Sequence, residues 1–203
     1  MDLAIAAATF AAIFVVELPD KTFIAALVLS TRYPPFAVWL GVGVAFGVQT
    51  LVAVTVGALA TLLPDQVLQA AALVIFLVGA VVLYRTAPGA DAAEGEAEQE
   101  YAARATEPKT FLKAAGASFL VLFAAEWGDL SQLLTITMVT RYQDHVSVFI
   151  GAWTALLAVS GLAILAGRVL LRHMRLSLLH YVGAGVCLLL AVLTLVELVT
   201  GSP

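Results

Sequence analysis

The sequence predicts an all-α integral membrane protein of six transmembrane helices, arranged as two inverted three-helix repeats. Three observations carry this. The 203 residues are 62% hydrophobic and only 12% charged, with a mean hydropathy of +1.02, whereas a soluble domain carries about 25% charged residues. Six apolar runs are each long enough to cross a bilayer, which takes about 20 residues. Two stretches, "ELPDKT" from Glu17 and "EWGDLS" from Glu126, echo each other at a fixed offset.

Taken in order, the spans are expected at 3–30, 36–62, 66–84, 111–139, 146–171 and 177–199. The first run lacks a basic start, and its apolar stretch continues past Glu17 to Leu29, so it reads as a first span rather than a removable leader. Pro34 and Pro35 in "TRYPPF" separate it from the second, because proline cannot continue a helix. "LLPDQ" parts the second from the third, "RYQDHVS" the fourth from the fifth, and "RHMRLS" the fifth from the sixth. The long break follows Tyr84. Residues 86–110 are an acidic linker rich in Ala, Gly and Glu, read as solvated and disordered. It divides a first repeat, 1–85, from a second, 111–203.

The repeat is visible in register. At an offset of 109, Glu17 matches Glu126, Asp20 matches Asp129, Thr22 matches Ser131, and "TRY" at 31–33 recurs at 140–142. At an offset of 110, Gly41 matches Gly151 and Gly57 matches Gly167. Three spans per half make the second half enter the membrane in the opposite direction, the plan of many secondary transporters. With both termini on one side, the other side holds Arg32, Arg85, Arg104, Lys109, Lys113, Arg168, Arg172 and Arg175, while the terminal side holds Arg141 alone. The positive-inside rule then places the linker in the cytoplasm and both termini outside, in a membrane read as the bacterial plasma membrane.

Of the 14 acids, Glu17, Asp20, Glu126 and Asp129 lie deep within spans. A carboxylate at the bilayer centre costs roughly 2.5–3.5 kcal/mol or more, so these four must face the bundle interior. Glu and Asp at i and i+3 share a helix face, and inverted repeats bring equivalent helices together. Both pairs are therefore expected to converge on one midplane point. Thr22, Ser131 and Gln132 lie close in sequence. Pro19 has no N–H, which frees the carbonyl of Val15. Gly128 stands in the matching place and loosens its own helix.

Carboxylate, carbonyl and hydroxyl oxygens suit hard cations such as Ca²⁺, Mg²⁺ and Mn²⁺. No cysteine or histidine adjoins either motif; His145, His173 and His180 lie near span ends and read as interfacial. A purely structural reading pairs Glu17 with Lys21 at i and i+4, but it leaves Asp20 over, and Leu130 supplies no cation to the second motif. Gly43 and Gly47 read as helix packing. Gln49 and Ser160 are polar and mid-span, open between lining the path and bonding within the bundle.

The two motifs resemble the paired Glu-x-Gly-Asp-(Lys/Arg)-(Thr/Ser) motifs of the Gdt-type manganese/calcium transporters of the lysine-exporter superfamily. The resemblance covers nearly the whole chain. It implies a six-helix cation/proton exchanger with metal ligands at Glu17, Asp20, Glu126 and Asp129 and hydroxyls at Thr22 and Ser131. The family's basic residue falls on Lys21 but is Leu130 in the second motif, and its glycine falls on Gly128 but is Pro19 in the first.

The expected function is export of a divalent cation, Mn²⁺ or Ca²⁺, in exchange for protons. No cofactor and no enzyme activity are expected, since neither a nucleophile nor a catalytic histidine stands at midplane. The alternatives are an exporter of an amino acid or other organic cation, or a membrane scaffold without transport. The partners are the cation, protons and the lipid bilayer. The net charge of −4 comes mostly from the linker and gives no footprint for nucleic acid. One cysteine, Cys187, excludes an internal disulfide framework. A six-span chain works alone or as a homodimer.

Overall fold

The structure is a computed structural model that describes residues 1–18, 21–104, 110–173 and 176–200. The described residues form helices and short turns, with no strand among them. In chain order the helices are α1 (Leu3–Glu17), α2 (Lys21–Arg32), α3 (Pro35–Ala60), α4 (Asp65–Thr86), α5 (Ala90–Arg104), α6 (Phe111–Ala125), α7 (Leu130–Tyr142), α8 (His145–His173) and α9 (Leu176–Thr200). Four of them, α3, α4, α8 and α9, are each long and apolar enough to cross a membrane. Two further helix pairs are apolar enough only together, and each is bent at its break: α1 meets α2 at about 73°, and α6 meets α7 at about 74°. Counting each bent pair once makes six spans, close to the expected boundaries.

Local chemistry sets the helix ends. α3 opens on Pro35, whose fixed φ and missing N–H suit the first helical position. Gln143 ends α7 in the left-handed region at φ 52°. Asp144 then caps α8: its carboxylate accepts from the Ser147 amide at 3.1 Å and the Ser147 hydroxyl at 2.6 Å. These hydrogen bonds hold the Asp144 carboxyl down at about pKa 2. The backbone N–H of Asp2 also donates to Asp144, at 3.1 Å, so the start of α1 lies beside the α7–α8 corner.

The core runs through Ile13, Leu29, Val38, Val42, Phe46, Leu122 and Leu134, all nearly inaccessible. α3 and α8 cross at its centre, where the Trp153 indole donates to the Gly43 carbonyl at 2.9 Å and Trp39 donates to the Leu157 carbonyl at 3.1 Å. Gly43 and Gly47 are indeed packing positions, against Leu157 and Trp153. Large apolar side chains on α4 and α9, such as Val78, Val82, Leu189 and Val192, are exposed.

Two further crossings are closer still. A methyl group on Gly41 of α3 would overlap the Ala115 carbonyl of α6, and one on Gly151 of α8 would overlap the Ala6 carbonyl of α1. Gly41 and Gly151 are repeat partners at offset 110, and Ala6 and Ala115 at offset 109. The two halves make the same contact with the same residues.

The linker departs from expectation. Residues 90–104 are helical, and α5 packs against α2 and α9, burying Ala90 and Tyr101. The physical reason lies in "ADAAEGEAEQEYAAR": alanine and glutamate are strong helix formers, and an alanine–tyrosine face gives that helix something to bury. Disorder was read from charge and low hydrophobicity; Glu96 and Glu100 are indeed exposed, while Ala90 and Tyr101 are buried. Residues 105–109 lie outside the described residues.

Candidate cation site at two broken spans

The second break shows how the sequence builds such a site. α6 stops at Ala125, and Glu126 closes its last turn, donating its N–H to the Leu122 carbonyl at 3.0 Å. Gly128 follows at φ +80°, a conformation that side chains disfavour. Asp129 is extended and caps α7: one carboxylate oxygen accepts from the Gln132 amide at 2.9 Å, the other from the Ser131 hydroxyl at 2.9 Å. Asp-x-x-Gln is a capping-box spacing, but Gln132 reaches further back than usual. Its side-chain amide donates to the Glu126 carbonyl at 2.7 Å and accepts from the Gly128 N–H at 3.2 Å. Gln132 thus clasps both sides of the break.

A second amide supports it from outside. Gln49 of α3, only 2% exposed, donates to the Phe123 carbonyl at 3.1 Å. Ser160, its companion in the sequence reading, bonds back to Leu157 within α8. Gln49 therefore serves the site and Ser160 serves its own helix. Leu130 packs against Gly79 of α4.

We expect Gln132→Leu to lose both clasping bonds and to destabilise the protein by about 1–3 kcal/mol, the cost of stranding partly buried polar groups. Unfolding in detergent measures this. An unchanged midpoint would show that the clasp carries no stability.

The first break has the same outline. α1 ends at Glu17, which is 1% exposed, and α2 begins at Lys21. Val15 lies in the last turn of α1, where a helix has no intrahelical donors for its carbonyls. Thr22 is buried in α2, with no hydrogen-bond partner for its hydroxyl among the described residues. Pro19 and Asp20 lie outside the described residues, and Lys21 is described by its backbone alone. At the second break Glu126 is 4% exposed and Asp129 partly buried.

Glu126, Asp129, Ser131 and Gln132 are brought together. Among the described residues no three acid, histidine or cysteine side chains group as a metal site. The broken spans do pack crosswise, α1 against α7 and α2 against α6. The C-terminal ends of α1 and α6, both at a buried glutamate, present the negative end of a helix dipole there. A separate cavity of about 410 Å³ opens between α4, α7 and α9, lined by Gln69, Thr137, Thr140, Arg141 and Glu197 among others. Arg141 and Glu197 form an ion pair across it.

The sequence profile of the divalent cation/proton antiporter GDT1 matches residues 5–91 and 114–202, leaving out most of the linker. The chain belongs to the GDT1 divalent cation/proton antiporter family. Among its GDT1 relatives, a GDT1-like protein of Synechocystis (sll0615) is 33% identical over 77% of this chain and 82% of its own length. The chloroplastic PAM71-homolog of Arabidopsis thaliana is 30% identical over 92% of this chain, and the chloroplastic PAM71 of the same plant 29% identical over 96%. This chain spans 58% and 57% of those two plant proteins. No solved structure matches it. The GDT1 match includes both breaks and leaves α5 largely outside.

Proposed function

We propose that this protein exports a divalent cation, Mn²⁺ or Ca²⁺, in exchange for protons. The observation that carries the reading is the pair of broken spans, each ending a half-helix on a buried glutamate, in a chain of an antiporter family. Glu17, Asp20, Glu126 and Asp129 hold the cation at midplane, with hydroxyls of Thr22 and Ser131 and carbonyls such as that of Val15 beside them. The crosswise packing of α1 on α7 and α2 on α6 supports one shared site.

Exchange follows from charge. Four carboxylates and the Lys21 ammonium leave a net −3, which a divalent ion reduces to −1. The emptied site regains its balance by taking up protons. Cation and protons therefore compete for the same oxygens. The repeats, 1–85 and 111–203, sit in opposite orientations, with the linker in the cytoplasm. A homodimer is compatible with this arrangement, since the site lies within one chain.

Export of an organic cation or amino acid asks for a roomy pocket with an anion-binding group. The cavity at Arg141 has room, but Glu197 already engages the guanidinium, and the cavity lies at the far end of α7 from the break. The deciding experiment is uptake into proteoliposomes with a panel of divalent ions under an imposed pH gradient. Coupled cation and proton fluxes are expected. Cation flux indifferent to the gradient, or none with any divalent ion, would overturn the reading.

A further inference from the structure

The two half-helices that lead to the breaks share a pattern. On α1, Thr9, Ile13 and Glu17 follow at four-residue spacing, and all are buried to 1% exposure or less. On α6 and its cap, Ser118, Leu122 and Glu126 follow at the same spacing, at 0%, 0% and 4%. Each residue of one set lies 109 positions from its counterpart in the other. Both runs therefore read hydroxyl, aliphatic, carboxylate along a buried stripe, with about 6 Å between steps.

The hydroxyls are anomalous. Many hydroxyls in the bundle bond back to a carbonyl three or four residues earlier, as those of Thr135, Thr137, Thr140, Thr154 and Thr194 do, while Thr22 beside the first break shares the unpartnered state. Thr9 Oγ1 and Ser118 Oγ have no hydrogen-bond partner among the described residues, though both are wholly buried. Leaving a buried hydroxyl unbonded is costly, yet both repeats do so at one position. Each also lies at one of the tight crossings. Thr9 stands against Gly151, and Ser118 is one turn beyond Ala115, which touches Gly41. A glycine lying flat on a backbone carbonyl makes a smooth interface, suited to sliding.

We propose that Thr9 and Ser118 are the first polar steps of two half-pathways that reach the acids from opposite faces of the membrane, closed by Ile13 and Leu122. When the α1–α8 crossing loosens, water enters past Thr9, whose hydroxyl then gains its missing partner. When the α3–α6 crossing loosens, water enters past Ser118. In the closed arrangement both hydroxyls are shielded from solvent, so each unbonded group favours opening of its own side. The proposal rests on the antiport reading for the purpose of the pathways, but the labelling test does not.

The test places Thr9→Cys or Ser118→Cys in a Cys187→Ala background, removing the one native thiol, which is buried. Reaction with a membrane-impermeant thiol reagent is timed from each face of oriented vesicles. Position 9 is expected to react from the face opposite the linker alone, and position 118 from the linker face alone. Adding Thr9→Val, which keeps the volume and removes the hydroxyl, disfavours opening on its side and should speed reaction at position 118 about five-fold. Reaction of both positions from one face, or of neither with or without Mn²⁺ and across pH, overturns the proposal. Should a cysteine variant fail to insert, Thr9→Val and Ser118→Ala decide instead. Slowed exchange in both supports the pathways, and unchanged exchange in both overturns them. Sided labelling in a protein that moves no divalent ion would leave the pathways standing and remove the antiport reading alone.

Discussion

If the proposed site is right, cation export should fall by about two orders of magnitude in Glu17→Gln and Glu126→Gln, while both proteins remain folded in the membrane. The size follows from what is removed. Disturbing even the groups that support a metal ligand costs roughly 10- to 100-fold, and at the proposed site the ligand itself would lose its charge. Stability moves the other way. Glu17 and Glu126 are 1% and 4% exposed, and an ionised carboxylate deep in a bilayer costs roughly 2.5–3.5 kcal/mol. The amides spare that cost, so the variants should melt no lower than the parent. Loss of function with retained or raised stability separates a transport site from a structural ion pair, whose breaking destabilises. Asp129→Asn sharpens the test. Asparagine caps a helix about as well as aspartate, so α7 keeps its start and the charge alone is lost. Asp20→Asn should behave alike. The measurements are proteoliposome flux and unfolding in detergent. Near-normal flux in any two of the four variants would sink the convergent site.

Gly41→Ala and Gly151→Ala each lower stability by about 1–3 kcal/mol, the usual cost of overpacking. The added methyl meets a backbone carbonyl, that of Ala115 or Ala6, rather than a side chain that can turn aside. Two helices must separate to admit it. Gly116→Ala is the control. Nothing lies within 4 Å of a Cβ built there, and alanine favours a helix over glycine by up to about 1 kcal/mol. That variant should be neutral or stabilised. Thermal unfolding of the three in one detergent decides. Equal midpoints would mean that the crossings yield more easily than their geometry implies.

Much of this was legible in the sequence, for identifiable reasons. Charge is so costly in lipid that Glu17 and Glu126 stand out of the apolar runs, and the helices end at those residues. Pro19 and Gly128 are poor helix residues, which marked both breaks. Other features were hidden because their meaning depends on a partner distant in the chain. Gln49 became a support for Phe123 only once α3 lay on α6. Gln132 was read as a neighbour of the acids, although its spacing from Asp129 already matched a capping box. Gly41 and Gly151 were seen as repeat partners, but not as points where backbone meets backbone. In α5 the acidic residues masked an alanine–tyrosine face that a helical reading of 90–104 would have exposed.

The clasp on the second break has no twin. Position 23, the repeat partner of Gln132, is phenylalanine, and position 159, the partner of Gln49, is valine. One knee of the molecule is thus laced by two amides that the repeat does not supply to the other. Flexing the second break costs the three hydrogen bonds of these amides, which the side chains at 23 and 159 cannot make. A cycle that needs one span to bend while its counterpart stays rigid has, in this asymmetry, a fixed choice of which limb swings and which bears the weight.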